Sequence, residues 1–295
     1  MLSTKQTLAE KKAKLNWNNV DGIIRHSLIE DIGKGDITTQ LTIPESKTTR
    51  ARIVVKEDCV ACGVDIAKRV FELVDKSIVF SAKAKDGQKI KNGKTIAEIS
   101  GNARHILHGE RVALNFLGML CGIATTTREY VDSVEPLKVK ITDTRKTMPG
   151  LRELQKYAVR IGDGYNHRIS LDEMILIKDS HIEIAQGIDK LPSVPKGFKI
   201  EIEVENIAQF NHALQFKPDI IMLDNMDTAS MKEAVKIRDG IDFSKSHHPR
   251  TLLEASGGIT LKNVRQVAET GVDIISIGEL THSVKSVDVS LEISA

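Results

Sequence analysis

The sequence predicts an α/β fold, an incomplete (β/α) barrel preceded by a smaller N-terminal α+β sandwich domain. Three observations carry this prediction. From residue 139 onward, short apolar runs alternate with helical segments about six times, the pattern of parallel β/α units. Nearly every run ends in polar residues or glycine, and the C-terminal strand ends are where barrels carry their chemistry. The first hundred residues instead show strand-like pieces, one short helix and tight turns.

A chain of 295 residues, 41% hydrophobic and 28% charged, has material for one large or two modest domains. No apolar run approaches the roughly 18 residues of a membrane span, and residues 1–19 have no hydrophobic signal core. The expectation is a soluble, cytoplasmic protein with no membrane partner. Aromatic residues are 4% of the chain, too few for a base-stacking platform, so no nucleic acid is expected either. Three cysteines suit reduced thiols. Cys59 and Cys62 form a C-x-x-C, but no second pair accompanies it, so they read as small residues at a turn.

In chain order, 51–56 and 77–83 read as strands and 65–74 as a helix, with turns at Asp86-Gly87 and Asn92-Gly93. Asp31, Gly33, Gly35 and Asp36 have calcium-loop character, but Thr42 stands at the twelfth position where a glutamate belongs. A turn between the first helix and the small sheet fits better. A long helix over 104–130 links the halves, with Gly118 and Gly122 as tolerated interruptions or a break. The expected domains are 1–118 and 119–283, with a tail at 284–295 packing on the first. Barrel strands are expected at 139–143, 174–178, 200–204, 220–224, 252–256 and 273–278.

The strand ends carry Asp143 with Arg145, Lys178, Glu203 with Glu205, Asp224 with Asn225, Ser256 with Gly257, and Gly278. In KIEIEVEN the two-residue repeat turns Ile200, Ile202 and Val204 to covering helices and Glu201, Glu203 and Glu205 into the barrel. Interior carboxylates need partners. Lys140 and Lys178 fall on positions that can face inward, so Glu201 is expected to pair with Lys140 while Glu203 lies nearer the ligand.

Between residues 142 and 181, nine basic side chains gather in a protein of net charge +2, which points to a polyanionic ligand. Arg152, Lys156 and Arg160 recur every fourth residue opposite Leu151, Leu154, Ala158 and Ile161, so they read as a solvated helix face outside the site. His181 suits a strand-end structural role as well as a binding one and is also left outside. Ser256-Gly257-Gly258-Ile259-Thr260 follows a strand and opens a helix, a natural phosphate cradle. Ser276-Ile277-Gly278 follows the next strand, and paired loops there are the usual phosphate position of such barrels.

The strings EDIGKGDITT, HGERVALNFLGMLCGIATTT, DTRKTMPGLRELQKYAV, GDGYNHRISLDEMILIKDSH, EIEVEN, IIMLDN, LEASGGI and GELTHS occur in order from Glu30 to Ser283, within a likeness that runs from about Glu30 to Leu291. Together they resemble the quinolinate phosphoribosyltransferases. The resemblance implies transfer of phosphoribosyl from phosphoribosyl pyrophosphate (PRPP) to quinolinate, with decarboxylation to nicotinate mononucleotide in NAD biosynthesis and with magnesium as cofactor. It implies substrate-binding roles for Arg145, Lys146, His167, Arg168 and Lys178, and catalytic roles for Glu203, Asp224 and Lys178. Glu203 and Asp224 would also hold magnesium, directly or through water. Ser256, Gly257, Gly258 and Gly278 would bind phosphate. Arg111 would be offered across the interface of a homodimer or a multiple of dimers. Cys59, Cys62 and Cys121 depart from the expected small or apolar residues, away from the site. A paralogous phosphoribosyltransferase acting on another base would alter the intact DTRK and NHR strings. A non-catalytic anion-binding protein would not need Glu203 and Asp224.

Overall fold

The computed structural model describes residues 15–187, 189, 197–242 and 249–294; residues 1–14 of the stretch read for a signal core lie outside them. Its strands, in chain order, are β1 (Thr48–Val55), β2 (Cys59–Val60), β3 (Val79–Ala82), β4 (Lys89–Ile90), β5 (Thr95–Asn102), β6 (Lys140–Thr142), β7 (Ile175–Ile177), β8 (Ile200–Val204), β9 (Ile220–Asp224), β10 (Leu252–Ser256), β11 (Ile274–Ser276) and β12 (Val289–Ser294). Two compact units divide them.

The first unit takes in residues up to 128, 147–163 and 280 onward. Its main sheet is antiparallel in the order β12-β1-β5-β3. Ala51, Ile53 and Val55 alternate into its core, as the two-residue repeat requires. The helix Val64–Val74 buries Ile66, Ala67, Val70 and Phe71, one apolar stripe at helical spacing. The Asp86 carboxylate accepts from the backbone N–H groups of Gly63 and Val64 at that helix start, giving the Asp86-Gly87 turn a capping role. Asp36 likewise caps the short helix Ile37–Thr42, which intervenes where a plain turn to the sheet was expected.

The helix Ala103–Val134 runs unbroken through Gly118 and Gly122. A Cβ on Gly122 would lie 2.1 Å from the carbonyl oxygen of Lys285, so the glycine lets the returning C-terminal segment lie directly on the helix. The expected boundary at 118/119 therefore falls inside one continuous helix. The returning segment ends in β12, paired with β1 from Arg50↔Ser294 to Val55↔Val289. Cys59, Cys62 and Cys121 are all free and buried; the Cys62 N–H donates to Cys121 Sγ at 3.2 Å. In the helix Arg152–Ile161, Lys156 is 1% exposed and Gln155 is fully buried. The solvated-face reading of Arg152, Lys156 and Arg160 thus fails at Lys156, because the helix is covered on more than its apolar side.

The second unit spans 129–146 and 164–279 and holds a parallel sheet in the order β6-β11-β10-β9-β8-β7. Beyond the outer edge of β6, Tyr165 makes a single parallel bridge to Thr142; a partial strand stands where a full one would extend the barrel. Asn206 and Asp227 cap the helices Ile207–Gln215 and Thr228–Asp239 that follow β8 and β9, a strand-to-helix punctuation legible in the sequence.

Candidate active site

The parallel strands turn alternate residues to a shared interior, and register decides which lie side by side. Asp224 is opposite Ser256 across β9 and β10, and Met222 is opposite both Glu254 and Glu203. These five residues, with Leu176, Lys178, Ser276, His167, Arg168 and the loop residues Thr144, Arg145 and Lys146, line a cavity of ≈ 360 Å³. Its lining combines an apolar patch, Leu176 and Met222, with groups of both charges.

Lys178 Nζ donates to Glu203 Oε2 at 2.8 Å, fixing the carboxylate. The Arg168 guanidinium donates through Nη1 to the Met174 carbonyl at 2.9 Å. Burial and the adjacent Arg145 guanidinium hold its pKa below the ordinary value. Both guanidiniums line the cavity, and an anion bound there would relieve the repulsion between them.

Below them lie Glu201, fully buried, and Glu254, 1% exposed. Burial raises each to about 8; Arg168 opposes the rise at Glu201, and Glu201 adds to it at Glu254. His167 Nε2 is 3.0 Å from Glu201 Oε2 and 3.6 Å from Glu254 Oε1. Among the described residues, His167, Glu201 and Glu254 form the one group whose ligand atoms are spaced to hold a cation. The backbone N–H of Arg168 donates to His167 Nδ1 at 2.9 Å, which leaves the ring hydrogen on Nε2, aimed at Glu201. An Nε2 that carries hydrogen offers no lone pair to a metal, so this group does not suit one. The oxygen donors of Glu203 and Asp224, which open onto the cavity, suit a hard cation that retains water and phosphate ligands.

The expected pairing of Glu201 with Lys140 is not found. Lys140 Nζ sits over the Tyr165 ring, 5.3 Å from its centroid, and the turn after Tyr165 delivers His167 to Glu201 instead. Glu205 lies past the end of β8 and is exposed rather than turned into the barrel. His181 Nδ1 accepts from the Lys178 backbone N–H at the start of the helix Asp179–Ile184, a structural role.

Arg145, Lys146, His167, Arg168, Lys178, Glu203, Asp224 and Ser256 thus come together as a group. Gly257 and Gly258 adopt left-handed backbone at φ 89° and 60°. A Cβ on Gly257 would lie 2.2 Å from Asn225 Oδ1. The helix expected to open there starts only at Val264 and is five residues long, so anion binding at this loop would rest on loop N–H groups. Gly278 follows β11, whereas Ser276, two residues earlier, reaches the cavity. Arg111 lies in the other unit, exposed beside Leu114 and Asn115, and does not line the cavity. Glu254 escaped the sequence reading. The available signal was a lone acid in the apolar run LLEAS, in phase with Ser256.

A parallel barrel whose mouth sets four cations around two carboxylates has the make-up of an enzyme for polyanionic substrates. Comparison with known proteins gives the particular kind. Residues 36–121 match the N-terminal domain, and residues 123–292 the C-terminal domain, of quinolinate phosphoribosyl transferase. A probable carboxylating nicotinate-nucleotide pyrophosphorylase of Bacillus subtilis is 40% identical over 287 residues, 95% of each chain. One of Methanocaldococcus jannaschii is 42% identical over 277 residues, 92% of this chain and 96% of that one. The solved nicotinate-nucleotide pyrophosphorylase of Francisella tularensis superposes with a TM-score of 0.87 at 40% identity, covering 95% of this chain and 98% of the other. The chain belongs to the quinolinate phosphoribosyltransferase family. No described helix is long and apolar enough to cross a membrane.

Proposed function

We propose that the protein transfers the phosphoribosyl group of PRPP to quinolinate with loss of carbon dioxide, forming nicotinate mononucleotide and pyrophosphate. The observation that carries this reading is the convergence of Arg145, Lys146, Arg168 and Lys178 with Glu203 and Asp224 on one cavity. Quinolinate brings two carboxylates and PRPP a pyrophosphate and a 5-phosphate, so fixed cations are the first requirement. The Arg145 and Arg168 guanidiniums suit carboxylates bidentately, and the Ser256-Gly257-Gly258 and Gly278 loops suit the phosphates.

In this reading the pyridine nitrogen attacks the anomeric carbon while its bond to the pyrophosphate oxygen breaks, the electron pair leaving with pyrophosphate. Glu203 and Asp224 stabilise the positive charge that develops on the ribose, and the ion pair with Lys178 holds Glu203 in place for that role. Departure of the 2-carboxylate as carbon dioxide leaves an electron pair on the ring carbon. The adjacent pyridinium nitrogen stabilises that pair before it takes a proton. Glu203 and Asp224 would hold magnesium, directly or through water, and the bound ion would supply neutralising charge to pyrophosphate. A homodimer in which Arg111 of one chain completes the other's site, acting in the cytoplasm, belongs to the same reading.

The test is product formation by purified protein with PRPP and magnesium, offering quinolinate or nicotinate separately. Turnover of quinolinate alone, one carbon dioxide per nucleotide, is expected. Turnover of nicotinate alone contradicts the reading.

A further inference from the structure

The turn that carries His167 and Arg168 is anchored by a residue with no role in the chemistry above. Residues 164–167 begin as a strand beside β6: Tyr165 N–H donates to the Ile141 carbonyl at 2.8 Å, and Asp143 N–H donates to the Tyr165 carbonyl at 3.2 Å. The backbone ladder stops there, with Thr142↔Tyr165 as its single bridge. The Asp143 side chain takes over. It is fully buried; its Oδ1 accepts the backbone N–H of His167 at 2.9 Å and its Oδ2 accepts from Asn166 Nδ2. A buried carboxylate is costly unless its oxygens are satisfied, and both oxygens of this one accept from the turn. Asp143 stands two residues before Arg145, and the turn it holds carries Arg168. One carboxylate therefore ties together the two segments whose guanidiniums line the cavity.

We propose that Asp143 is a positioning residue that sets the spacing of Arg145 and Arg168 for the dianionic pyridine substrate. The inference rests on the reading of the site given above, and it makes a claim specific to one substrate. Loss of the anchor should weaken quinolinate binding and leave PRPP binding in place, because the phosphate loops are carried by β10 and β11.

The experiment compares D143A, N166A and D143N with wild type, reading KM for quinolinate and for PRPP separately, kcat, and calorimetric binding of quinolinate. D143A removes both bonds and should raise the quinolinate KM and dissociation constant about tenfold or more, with the PRPP KM within about twofold. N166A removes one bond and should shift the same constants about threefold. D143N keeps an acceptor for the His167 N–H and, with the Asn166 amide turned over, a donor to Asn166. It should recover most of the D143A loss. Equal rises in both KM values, or a D143N as impaired as D143A, overturn the inference. If D143A does not fold, N166A decides: an unchanged quinolinate constant overturns the proposal. Wild-type protein that turns over no quinolinate overturns the reading beneath it; wild-type turnover with unaffected variants overturns the positioning role alone.

Discussion

The two ends of the parallel barrel handle charge in opposite ways. At the N-terminal ends of β10 and β11, each arginine is matched by carboxylates. Arg238, fully buried, bonds Asp273 and Asp239 at 2.6 Å each, and Arg250 bonds the same two acids at 2.8 and 3.2 Å. Burial works against Arg250, yet Asp273 and Asp239 hold its pKa above the ordinary value. Asp273 also accepts from the Leu253 backbone N–H, tying the network to the sheet. At the C-terminal mouth, burial and the nearby Arg145 hold the pKa of Arg168 below its ordinary value, while burial raises two carboxyls beneath to about 8. Opposite charges placed together hold a fold. Like charges such as Arg145 and Arg168, set beside the Lys178–Glu203 pair, would suit an anionic ligand at the fold's expense.

The contrast breaks most visibly at the structural end. Arg238→Met leaves Asp273 and Asp239 short of a partner and should cost about 3 kcal/mol of stability by urea unfolding, with kcat/KM of the folded protein unchanged. A loss of activity without a loss of stability would reverse the assignment of the two ends. Next in size, Arg168→Ala should lower kcat/KM for quinolinate about a hundredfold while the melting temperature holds, because a repulsive neighbour has been removed.

Ionic strength sharpens the same division. Raising salt well above physiological levels should raise KM for both anionic substrates severalfold, since charges open to solvent are screened, and should move unfolding less, since the Arg238 guanidinium at the centre of its network is buried. The smallest effect is on pH. The folded pKa values of Glu201 and Glu254, about 8, lie above the ordinary 4.5, so the folded state binds more protons between those values. The stability these groups allow is fully present below pH 4.5 and is lost as pH rises toward 8. The melting temperature of the ligand-free protein should fall across that window, and Glu254→Gln should flatten the fall. An unchanged slope in Glu254→Gln would mean that Glu254 is ionised at neutral pH.

Much of this was legible in the sequence because it depends on local pattern. The strands 200–204, 220–224 and 252–256 follow from apolar runs with polar ends, and inward-facing Glu201, Glu203 and Lys178 follow from a two-residue repeat. Partner choice was not legible. Lys140 and Glu201 shared the right parity, but β6 and β8 are separated in the sheet by β11, β10 and β9, and strand order is a long-range property. Lys156 was misread because helical periodicity describes the helix and not what covers its polar side. Glu254 lay hidden in an apolar run, where only its phase with Ser256 marked it.

The most direct test is calorimetric titration of quinolinate into wild type, Arg168→Ala and Arg238→Met, at low and high salt. The account predicts one site per chain in wild type, weakened by salt, lost in Arg168→Ala and retained in folded Arg238→Met. Equal binding by wild type and Arg168→Ala would contradict it, because the like-charged pair at the mouth would then serve no anion.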